Sequence, residues 1–175
     1  MRKSVLATIE AVRPFIPRSQ YLVMKSALRG EERGFFREAF RDLEKTIDSM
    51  PVTYGQDGKG EEAVIYLHYF YGGADWWITE KDIEGGIDQA FGLVDLGHGP
   101  ELGYISIREL VGMAGVNVDL HWEPKTIGQV MAKNHPDSDG PKKAPAPVKA
   151  LPAYTVAQVV NVGDWFEGVA PGLLN

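Results

Sequence analysis

The chain has 175 residues, a formal net charge of −6, 44% apolar and 24% charged residues, and no cysteine. This length holds one domain plus extensions, with enough apolar material for a real core. Without cysteine there is no disulfide framework and no thiol nucleophile, and zinc is left with only His and carboxylate ligands. Met1 to Ala7 imitates the start of a signal peptide, but Glu10 and Arg13 break the apolar run. No stretch approaches the roughly 18 apolar residues of a membrane span, so the expectation is a cytoplasmic protein with no membrane contact.

In chain order, residues 4–12 read as a short helix closed by Pro14 and Pro17. Ser19 is placed to cap a second helix over 20–28, which Gly30 stops. Phe36, Ala39, Phe40, Leu43 and Ile47 make one apolar stripe at helical spacing, and Pro51 marks that helix's end. Residues 53–62 form a Gly-rich polar loop, after which the pattern changes to strands at 63–70, 75–80, 89–96 and 101–105. Ser106 and Glu109 have capping-box spacing for a short helix. Residues 117–122 follow as a fifth strand, and Thr126 caps a last helix through about Met131.

Connections this short favour antiparallel neighbours. The predicted class is therefore α+β, an antiparallel meander of about five strands packed against N-terminal amphipathic helices. Four regions are expected. Residues 1–50 are helical, 51–133 form the core domain, 134–152 a Pro-rich linker, and 153–175 an apolar C-terminal segment. Charge divides along the same lines. Residues 1–49 carry ten Lys/Arg against seven Asp/Glu, residues 50–135 five against thirteen, and residues 136–175 three against four. A body of net charge −8 repels phosphates, so no nucleic-acid partner is expected.

Three blocks carry a resemblance: LHYFYGGADWWITEKD (67–82), QAFGLVDLGHGPELGYISIREL (89–110) and VDLHWEPKTIGQV (118–130). Together, over about 65–130, they resemble the domain of unknown function 2958 family. That resemblance implies a setting on bacterial plasmids, conjugative elements or prophages, where genes countering host defences are common neighbours. It implies no activity and carries over no catalytic residues.

The candidate chemistry lies at turns and strand ends. Glu80, Asp82, Asp95, His98 and Glu101 are the residues for a divalent-metal or acid/base site, set against turn carboxylates that cap backbone amides. His68 and His121 alternate with apolar neighbours and read as unpaired structural histidines. Arg33, Arg37, Arg41 and Lys45 line one helix face for nucleic acid, diluted by Glu38, Asp42 and Glu44. The adjacent Trp76 and Trp77 must point to opposite sides of their strand, so one needs cover from the chain's own helices or serves as a binding patch. Tyr104, Trp165 and Phe166 join those tryptophans as binding residues. With no recognisable nucleophile constellation and no cofactor expected, the reading is a non-enzymatic accessory factor. Its partner is a host or mobile-element protein, or a second copy. A metal-dependent hydrolase and a nucleic-acid-binding module are the alternatives. The segment 153–170 is expected to be a partner- or self-association element.

Overall fold

A computed structural model describes residues 4–136 and Gly140. The segment 153–170, with Trp165 and Phe166, lies outside the described residues, as does most of the Pro-rich stretch.

Ser4 caps α1 (Val5–Val12), its hydroxyl accepting the Ala7 N–H at 3.2 Å. A 3-10 turn over Arg13–Phe15 leads into α2 (Arg18–Ala27). Ser19 lies inside α2, so the expected cap is displaced. Pro17 holds the cap position and has no N–H to satisfy there. The predicted stripe forms α3 (Arg33–Ser49), which buries Phe40, Leu43 and Ile47 and keeps Phe36 and Ala39 at the rim of the core.

The strands are β1 (Val64–Ile65), β2 (Leu67–Tyr71), β3 (Ala74–Glu80), β4 (Ala90–Asp95), β5 (Glu101–Ile105), β6 (Asn117–Val118) and β7 (Lys125–Thr126). Strands β2 to β5 run as an antiparallel meander. Helix α4 (Ile107–Gly112) then carries the chain back so that β6 pairs with β2, giving the order β5-β4-β3-β2-β6. The α+β class and the five antiparallel strands agree with the sequence reading. The last strand, however, closes the opposite edge rather than extending the meander.

The predicted strand 63–70 is split at Tyr66. Val64 and Ile65 turn aside to pair with β7, while Leu67 onward pairs with β3. The predicted strand 117–122 shortens to two residues, because Asp119 turns the chain by accepting the His121 N–H at 2.9 Å. In the β2–β3 hairpin Gly72 takes φ 57°, as the two-residue connection between Tyr71 and Ala74 requires. Gly92 sits opposite the register shift between Ile78 and Glu80, where any Cβ would overlap the Trp77 carbonyl oxygen.

Both faces of the sheet are covered, one by the N-terminal helices and α4, the other by the last helix. Leu67, Tyr69, Trp76, Ile78 and Ile105 pack with α1, α2, α3 and α4. On the other face Ile65, Trp77 and Leu93 pack under Ile127, Val130 and Met131 of α5 (Ile127–Asn134). Thr126 caps α5 in a full capping box with Gln129. The alternation of side chains along β3 thus sends the two tryptophans into separate cores. Among the described residues no helix is long and apolar enough to cross a membrane.

Candidate functional site

The predicted acidic residues are distributed along the sheet rather than gathered. Glu80 is 4% exposed, and its two oxygens accept the N–H groups of Tyr54 (3.0 Å) and Gln56. Gln56 in turn bonds both polar backbone groups of Val64, at 2.8 Å each, and the Thr79 carbonyl at 3.0 Å. The polar loop 53–62 is therefore pinned to the sheet from within. Asp82 accepts the amides of Glu84 and Asp88 (3.1 and 3.3 Å). Asp95, 7% exposed, accepts the Gly97 amide at 2.7 Å and meets His135 Nε2 at 3.0 Å, which ties the end of α5 to β4. His98 and Glu101 are exposed. Among the described residues no three His, Asp or Glu side chains are placed to hold one metal ion.

A cluster the sequence reading missed surrounds His68, which is paired rather than solitary. Its Nε2 lies 2.7 Å from Asp75 and its Nδ1 3.3 Å from Asp119. Its ring stacks on Trp77, with centroids 5.5 Å apart and planes 10° apart, and lies 5.0 Å from Trp122. Because the two carboxylates hold opposite ring nitrogens, they do not converge on one ion. The ring instead joins β2, β3 and the turn after β6. The only sequence signal was His68 falling opposite Trp77 in the hairpin register, since Asp119 is 51 residues away.

Tyr104 on β5 shares a hydroxyl–hydroxyl hydrogen bond of 2.8 Å with Tyr54 and packs edge-on to Phe91 at 5.4 Å. Burial first, then the Tyr54 bond and the nearby Tyr54 and Glu80 groups, push its phenol up to about 12. Tyr54 has φ 72°, a left-handed conformation rare for an aromatic residue, held by the Glu80 bond to its amide. Trp76 and Trp77 are 4% and 2% exposed, so neither serves as a surface anchor. Arg33, Arg37, Arg41 and Lys45 are all exposed, and Lys45 pairs with Asp42 at 2.6 Å.

The two edges of the sheet are treated differently. Val118 on β6 turns its N–H and C=O away from β2 to the Gln20 side chain, at 2.9 and 2.8 Å. Antiparallel ladders alternate strictly between inward and outward pairs. Carried through the registers Tyr69↔Val118, Tyr69↔Trp76, Trp77↔Leu93 and Leu93↔Leu102, this alternation turns the N–H and C=O of Leu102 and Tyr104 outward from β5. Among the described residues β5 pairs with β4 alone and ends the sheet.

These features define a small α+β protein, a five-stranded antiparallel sheet with helices on both faces, one edge closed by a side chain and the other open among the described residues. Residues 37–148 match the family described as protein of unknown function (DUF2958), and the chain belongs to that family. The match extends beyond the blocks at 65–130 to take in most of α3 and to run past α5. No curated protein and no solved structure matches the chain.

Proposed function

We propose that the chain is a non-enzymatic, protein-binding accessory factor of a bacterial plasmid, conjugative element or prophage, acting in the cytoplasm against host defence. The observation that carries this reading is that, among the described residues, the β5 edge is open while the opposite β6 edge is closed by Gln20. Unpaired strand edges are sites of protein association, and folds that have no use for one blunt it. The sequence Glu-Leu-Gly-Tyr-Ile of β5 has no Lys, Pro or bulge to do so. The engagement of Glu80, Asp82, Asp95 and His68 within the fold further favours binding over hydrolysis. The mobile-element setting rests on what the family resemblance implies.

The test is capture from host lysate by the tagged full chain, read by mass spectrometry, beside a Leu102→Pro chain. Proline there removes an outward N–H while leaving the inward ladder to β4 intact. A specific protein retained by the wild type and lost by the folded variant supports the proposal. Equal capture by both chains removes the edge from it. Divalent-metal-dependent hydrolysis lost in Glu101→Gln would replace it with the enzyme reading.

A further inference from the structure

Resting on the binding reading above, we infer that the partner adds to β5 an extended segment that alternates apolar and basic residues, forming a sixth strand. The outward N–H and C=O groups of Leu102 and Tyr104 supply the main-chain hydrogen bonds of such an addition. At about 3.4 Å per residue, five strand positions accept a segment of roughly five residues.

The two sides of β5 prescribe the side chains of that segment. Leu102 and Tyr104 share one face, where Leu102 packs against the Trp77 core and Tyr104 against Phe91. Residues added on that face meet apolar surface. The opposite face begins with exposed Glu101 and runs through Gly103 to buried Ile105. A residue added beside Glu101 is favoured when it is basic, because directly opposed unlike charges stabilise a strand pair.

The surroundings reinforce that choice. Residues 50–135 carry five cations against thirteen anions. Three of those cations are already engaged. Lys81 Nζ donates to the Ile47 carbonyl at 2.6 Å, Arg108 pairs with Asp88 at 2.6 Å, and Lys125 lies 5.0 Å over the Trp122 ring. The resulting field attracts a basic segment and speeds its encounter. It opposes a second copy, whose own β5 brings the same acidic body and a second Glu101 to the junction.

The experiment uses the full chain, a short alternating Lys/Val peptide and its Glu/Val counterpart, with amide hydrogen exchange and fluorescence anisotropy as readouts. In the free chain the Leu102 and Tyr104 amides exchange fast. The Lys/Val peptide protects them and binds at least about tenfold more tightly than Glu/Val, a preference that shrinks with added salt. Glu101→Lys, which keeps the backbone edge, shrinks the preference, and an unchanged preference in that variant overturns the pairing at Glu101. Protection of both amides in the free chain shows an edge already occupied by a second copy or by the chain's own residues, and overturns the inference. Equal binding of both peptides overturns the charge selection. If neither peptide binds while lysate capture still depends on Leu102, the basic chemistry fails and the binding reading stands. If that capture fails as well, both fall.

Discussion

Gln20 on α2 and Val118 on β6 exchange two hydrogen bonds across 98 residues, Nε2–H to the carbonyl at 2.8 Å and the amide to Oε1 at 2.9 Å. A primary amide offers the same donor and acceptor as a peptide group, so Gln20 serves as a one-residue strand on the outer edge of the sheet. Gln20→Ala removes both bonds. It should destabilise the fold by on the order of 1–3 kcal/mol, the cost of leaving a partly buried donor and acceptor unpaired. Denaturant unfolding and exchange at the Val118 amide measure it, and an unchanged midpoint with unchanged protection would show that this edge is held by other contacts.

Glu80 is the anchor of the loop 53–62. Only a carboxylate offers an acceptor to both the Tyr54 and the Gln56 amides. Glu80→Gln turns an NH2 group toward one of them and should cost roughly 1.5–3 kcal/mol. Tyr54 would then relax from its positive φ, and limited proteolysis within the loop would accelerate while the helical signal is kept. A loop that stays protected in the variant shows that Gln56 alone suffices.

Phe40 and Phe36 occupy one stripe of α3 at different depths. Phe40 is fully buried among α1, α3 and the sheet, whereas Phe36 is half-buried and meets Phe35 edge-on at 5.1 Å. Phe40→Ala should therefore cost about 3–5 kcal/mol, and Phe36→Ala distinctly less. Equal losses in thermal or urea unfolding would mean that burial depth is not what ranks the two positions.

Alkaline stability follows from the tyrosines. Tyr104 is pushed from the usual 10 up to about 12, chiefly by burial and then by its bond to Tyr54. Because the folded value lies above the unfolded one, the unfolded chain gives up its proton first. The contribution is complete below pH 10 and is lost as the pH rises towards about 12. Buried Tyr69, whose hydroxyl donates to the Phe15 carbonyl at 2.8 Å, is raised in the same direction. Tyr104→Phe should flatten part of this alkaline loss and leave the share due to Tyr69. An identical slope of stability against pH in both proteins would remove Tyr104 from the account.

The sequence by itself determined what is local. Ser106 and Thr126 cap helices as read, because each hydroxyl reaches an amide only three residues on. The stripe of α3 and the alternation of β2 to β5 were legible for the same reason, since periodicity within one element decides which side chains share a face. The open β5 edge was not legible, because it depends on which strand the chain brings last and to which side. Nor was the cover over Trp77. Alternation demanded it, but only the return of α5 across the sheet supplied Ile127, Val130 and Met131. His68 read as solitary until packing brought Asp119 to it, and the backbone groups that Gln20 and Gln56 bond were set beside them only by the packing of the strands. A polar side chain states in sequence what it can bond, but its partner is fixed by long-range packing, which composition and spacing do not encode.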